Sequence, residues 1–129
     1  MSRWKQLADD QTTLTIVASL KENGVEAIAV ENGEEAKRQV LERIPEGSEV
    51  MTMTCVTLDT ISLASEINES GRFNSVRKKL SAMDKQTQSQ QMNRLGAAPE
   101  FVVGSLDAVT KDGHVLVASM TGSQLPAYI

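Results

Sequence analysis

The stretch Val25–Thr54, VEAIAVENGEEAKRQVLERIPEGSEVMTMT, decides the fold. Its first six residues, Val25–Val30, form a short apolar run that reads as a strand. Gly33–Ile44 then sets Ala36, Val40, Leu41 and Ile44 on one helical face, with Glu34, Glu35, Lys37, Arg38 and Glu42 on the others. Pro45 and Gly47 close that amphipathic helix. Glu49–Thr54 (EVMTMT) reads as the next strand. A strand, a helix and a strand joined by short turns imply a right-handed crossover and a mainly parallel sheet with both faces covered. The fold class expected is therefore α/β.

The same rhythm extends on both sides. Residues 9–23 carry Leu14, Val17, Ala18 and Leu20 at helical spacing, with Gly24 as the stop. Val56–Ile67 places Leu58, Ile61, Leu63 and Ala64 as apolar anchors, with Thr54 or Thr57 as N-cap. Asn68–Asn74 is a turn cluster, and the polar, Gln-rich Ser75–Leu95 reads as one broken helix or two short ones, ended by Gly96 and Pro99. Glu100–Gly104 (EFVVG) is a buried strand and His114–Met120 (HVLVASM) another, with a tight turn at Lys111-Asp112-Gly113 between them. Pro126 suits the first turn of a terminal helix capped by Ser123. No repeat or linker interrupts residues 1–129, so a single domain is expected.

Composition narrows the function. The 129 residues are 40% apolar and 23% charged. A chain of that length buries roughly two thirds of its unfolded surface, so it needs no covalent staple. One cysteine, Cys55, excludes a disulfide scaffold. A net charge of −4 argues against a nucleic-acid partner. No apolar stretch reaches the ~18 residues of a membrane span, and MSRWKQLADDQTT lacks the apolar core of a signal peptide. A cytoplasmic setting, with no membrane partner, follows as the expectation. The scattered aromatics Trp4, Phe73, Phe101 and Tyr128 do not form a stacking platform.

Three polar turns follow three of these strands: residues 52–57, 104–110 and 119–124. In an open α/β sheet the crevice beyond the carboxyl ends of the strands is where ligands sit, so the turns point to one pocket. Gly104 and Gly122 allow close backbone approach, and amides near Ser123 suit a phosphate or carboxylate. The competing reading of each turn is ordinary capping and turn chemistry. Asp107, directly after a buried strand, is either a catalytic general base or a cap for Val109 or Thr110. Cys55 reads as a partly buried structural thiol, because nothing brings His114 to it. One His and one Cys cannot build a closed zinc site. Neither GxGxxG nor GxxxxGK[ST] occurs, so no metal and no nucleotide cofactor is expected. The basic cluster Arg72, Arg77, Lys78, Lys79 is either a solvated face or an attractor for an anion.

Phe101–Leu125, FVVGSLDAVTKDGHVLVASMTGSQL, resembles the signature of the LUD (lactate utilisation) domain family, VGS-x-x-AVT-x-DG-x-L-x-x-AS-x-x-GSQL. Val50–Leu63, VMTMTCVTLDTISL, is similar to the family's earlier T-x-S-x-TL strand-to-helix turn. The resemblance covers nearly the whole chain. It implies a three-layer α/β/α, mainly parallel Rossmann-like sheet related to ribose-phosphate isomerases, glucosamine-phosphate deaminases and CoA transferases. It also implies a role in lactate-type organic-acid utilisation, beside iron–sulfur partner proteins in bacteria. Carried over by position, the ligand-binding residues are Thr54, Thr57, Gly104, Ser105, Thr110, Gly122, Ser123 and Gln124. Cys55 stands where the family more often has Ser, which argues against an essential thiol. The family pattern runs on past GSQL into a further buried strand, so a truncated domain is expected, whose open sheet edge would suit a homodimer.

Three functions follow as alternatives. The first is binding of a small molecule or anion in organic-acid utilisation, with the reaction unassigned. The second is an isomerase or an acyl or phosphosugar enzyme using Asp107 as base. The third is a protein-interaction module presenting residues 72–79 and 84–95.

Overall fold

The computed structural model describes residues 3–122 and 124–128, which fall into two compact units. One unit joins Met1–Glu31 to Leu106–Ala118; the other joins Asn32–Ser105 to Ser119–Ile129.

The larger unit is built on a parallel three-stranded sheet of order β2-β1-β3, with β1 (Glu49–Thr52) between β2 (Asn74–Ser75) and β3 (Phe101–Val103). Helices precede and link these strands: α2 (Gly33–Arg43), α3 (Val56–Thr60), α4 (Leu63–Glu69), α5 (Val76–Ser81) and α6 (Lys85–Ala97). This is an α/β fold, as the alternation of periodic segments implies. Strand residues alternate between faces, so Val50 and Thr52 share one side with their register partners Phe101 and Val103. Val50, Phe101 and Val103 pack into the core with Ile44, Leu58, Leu63, Ile67 and Phe73. Met51 and its partner Val102 take the opposite side.

Local chemistry sets the helix ends. Asn32 caps α2 by accepting the Glu35 N–H, and Ser75 caps α5 by accepting the Lys78 N–H. The helix expected over Val56–Ile67 is instead two, because Ser62 adopts a left-handed conformation (φ 56°, ψ 26°) between α3 and α4. Its N-cap is Cys55, with no side-chain cap bond, rather than Thr54 or Thr57. Ser75–Leu95 resolves into two helices, α5 and α6.

In the smaller unit, α1 (Asp10–Glu22) accompanies an antiparallel hairpin of β4 (Ala108–Val109) and β5 (Val115–Leu116). Of the seven residues expected as a strand at His114–Met120, only Val115 and Leu116 pair. The Asp107 carboxylate accepts the Ala118 N–H at 2.7 Å and ends the ladder there. Val25–Val30, expected as a strand, joins no sheet. Val25, Ile28 and Val30 are 46%, 48% and 38% exposed. Their composition favours a pleated, half-buried surface, and that preference becomes a strand only where a partner supplies the ladder and the burial.

The hairpin turn docks on α1 through polar contacts. Ser19 Oγ donates to the Lys111 carbonyl at 2.7 Å and Asn23 Nδ2 to the Gly113 carbonyl at 3.0 Å. Gly113 sits at φ +84°, and a Cβ there would lie 2.8 Å from the Ser19 backbone. Gly113→Ala therefore meets both an unfavourable dihedral and backbone that cannot yield. It is expected to destabilise the hairpin by about 1–3 kcal/mol, read as faster amide exchange at Asp107 and Thr110, whose N–H groups bridge the two arms. Exchange at the wild-type rate would contradict this placement.

Asp9 caps α1, its carboxylate accepting the Thr12 N–H at 2.6 Å. Bonding from the Thr12 backbone and then from its hydroxyl holds the Asp9 carboxyl below its ordinary 3.8. A lowered folded-state value means the cap stabilises fully above 3.8 and is lost as pH falls through the lower value. Asp9→Ala is expected to shrink the change in helical circular dichroism between about pH 6 and about pH 2; an undiminished change would contradict the role of the cap.

Candidate functional site

The face of the sheet turned away from the core forms the floor of a cleft of about 580 Å³ within the larger unit. Met51 and Val102 supply the floor, and Met53 and Thr54 continue it past the carboxyl end of β1. Its walls come from Arg77 and Leu80 of α5, from Lys85, Met92, Asn93, Gly96 and Ala97 of α6, and from Gln124, Pro126 and Ala127 at the terminal turn. A cleft of this size and mainly apolar lining falls within the range of small-molecule sites.

Two cations, Arg77 and Lys85, line the cleft, and among its described lining residues there is no Asp or Glu. In a chain of net charge −4 this is a local reversal of sign, and it favours an anion. The guanidinium is held in place. Arg77 Nη2 donates to the Thr52 carbonyl at 2.7 Å, at the end of β1. Thr52 and Ser75 are both buried, and Asn68 of α4 joins them, donating to Thr52 Oγ1 at 2.9 Å and accepting from Ser75 Oγ. This network ties β1, β2, α4 and α5 together, so the residue bearing the positive charge sits on rigid elements. One bond to Thr52 leaves most guanidinium N–H donors available to a ligand.

Of the residues expected at the site, Thr54 and Gln124 line this cleft. Gly104 and Ser105 stand beside it. A Cβ on Gly104 would lie 2.5 Å from the Met53 sulfur, and the Ser105 carbonyl accepts the Tyr128 hydroxyl at 2.9 Å. Gly122 turns at φ +73°, its N–H donating to Ser119 Oγ. Thr57 is exposed in the first turn of α3 and is not on the cleft wall. Ser123 lies outside the described residues.

Asp107 and Thr110 belong to the smaller unit. Asp107 is occupied by the Ala118 amide. The Thr110 hydroxyl accepts the His114 N–H at 2.9 Å and donates to Asp112. That hydroxyl first, and His114 second, hold the Asp112 carboxyl below its usual range. These groups stiffen the hairpin turn. Cys55, half-buried, packs against the core. Among the described residues, no group of three or more His, Cys, Asp or Glu side chains is placed to hold a metal ion. No helix among them is long and apolar enough to cross a membrane.

Lys85 and the methionines of the cleft are absent from the residues expected at the site. Arg77 is one member of a basic cluster with two open readings, and its selection depends on a tertiary bond to Thr52. The methionines did leave a signal: in EVMTMT, strict alternation puts Met51 and Met53 on the face opposite Val50 and Thr52.

Neither the curated proteins nor the solved structures contain a match to this chain. The family model of the LUD domain matches residues 15–128, taking in both strands that floor the cleft and the turn that closes it. The chain belongs to the LUD domain family.

Proposed function

We propose that this LUD domain binds a small organic anion, a carboxylate, in the cleft over Met51 and Val102, and serves lactate-type organic-acid utilisation in the cytosol. The observation that carries this reading is the Arg77 guanidinium, anchored to the Thr52 carbonyl on the wall of a cleft whose described lining residues include no acidic side chain. A buried or half-buried Arg is suited to a carboxylate because its planar fork matches the two oxygens. Family membership supports the organic-acid setting.

Calorimetric titration at low ionic strength with lactate, longer carboxylates, a phosphosugar and inorganic phosphate tests the proposal. At least one carboxylate is expected to bind, with affinity falling as salt rises, because part of the attraction is screened charge. Absence of binding by every carboxylate would reject it.

A further inference from the structure

We infer that the anion taken by this cleft carries an extended apolar chain, so that the ligand is a medium-chain carboxylate rather than a hydroxy acid of lactate size; this rests on the anion-binding reading above. Volume is the first ground. A three-carbon acid bound at Arg77 would leave most of about 580 Å³ unfilled, and binding an apolar group there removes more surface from water.

The lining is the second ground. Three of the six methionines of the chain, Met51, Met53 and Met92, line this one cleft, with Leu80 and Val102 beside them. Methionine is unbranched and polarisable, and repacks readily around a flexible chain. The two cations and the apolar floor occupy different places along the elements, with Met53 between Thr52 and Thr54 and Asn93 beside Met92. Arg77 is fixed at the Thr52 carbonyl and Thr54 follows it, beyond the end of β1, whereas Met51 and Val102 lie further back on the sheet. On α6, Lys85 is the first residue, and Met92 stands seven residues further along, beyond a kink at Gln88 (φ −122°, ψ 18°). A carboxylate head at Arg77, with Lys85 adding positive charge, and a tail running over Met51, Val102 and Met92 match this layout.

The experiment is a calorimetric chain-length series on the intact protein: lactate, butanoate, hexanoate and octanoate, with octan-1-ol as the uncharged control. Each buried methylene is expected to tighten binding about fourfold. Octanoate should then bind on the order of 100-fold more tightly than butanoate, and more tightly than octan-1-ol. Met92→Gln is expected to shrink the octanoate-to-butanoate ratio. If lactate or butanoate binds as tightly as octanoate, the apolar chain is rejected and the anion site stands. An unchanged ratio in Met92→Gln likewise rejects the path of the tail. Octan-1-ol binding as tightly as octanoate, or no carboxylate binding at all, overturns the anion site and this inference together.

Discussion

Truncating Ile67 to Ala is expected to lower the unfolding free energy by about 2–5 kcal/mol and the thermal midpoint by about 10 °C. Ile67 is 0% exposed, one turn along α4 from Leu63, and packs with Val50, Leu58 and Phe73. Removing its outer carbons forfeits their transfer from water and leaves a cavity that α4 cannot close, because α4 is pinned to β1 by the Asn68 to Thr52 bond. The contrasting position is Val56, at the start of α3 and 80% exposed. Val56→Ala is expected to change stability by less than about 0.5 kcal/mol. Denaturant unfolding followed by circular dichroism reads both. Equal effects at the two positions would contradict the assignment of the core to the side of the sheet that carries Val50.

Replacing Arg77 with Met is expected to weaken carboxylate binding about 10- to 100-fold, the range of a charged hydrogen bond at 1.5–3 kcal/mol. Met keeps much of the length and the apolar stem of Arg but offers no donor to a ligand or to the Thr52 carbonyl. Arg77→Lys retains charge without the planar fork, so one ammonium must serve either Thr52 or the ligand, and an intermediate loss is expected. Calorimetry of the three proteins, each checked for a wild-type circular dichroism spectrum, decides the matter. Wild-type affinity in a folded Arg77→Met protein would remove the guanidinium from the account.

What could be read from the sequence follows how local each feature is. The helix over Gly33–Arg43, expected as Gly33–Ile44, was legible because its polar and apolar sides are set by one periodic segment closed by Pro45 and Gly47. The strands at Glu49–Thr52 and Phe101–Val103 were legible because one side of each must be apolar to pack on Leu58, Leu63 and Ile67. Val25–Val30 has the same composition and no ladder partner, and composition does not encode a partner. The break at Ser62 depends on one left-handed residue whose side chain gives no advance sign of it.

The site divides in the same way. The rule that loops after strands border ligand crevices points only to the turns 52–57 and 119–124; Thr54 and Gln124 within them come from the family resemblance, and both line the cleft. Arg77 depends on a bond across 25 residues of chain, which no spacing rule supplies. Asp107 is a carboxylate after a buried strand, and its partner, the Ala118 amide, lies across a hairpin rather than at the neighbouring Val109 or Thr110.

Amide chemical-shift mapping during titration with octanoate tests the central claim most directly. Shifts at Thr54, Arg77, Gly96 and Gln124, with Asp107–Leu116 unmoved, are the expected result. Shifts confined to the hairpin around Asp107, or none on the cleft walls at saturation, would contradict it.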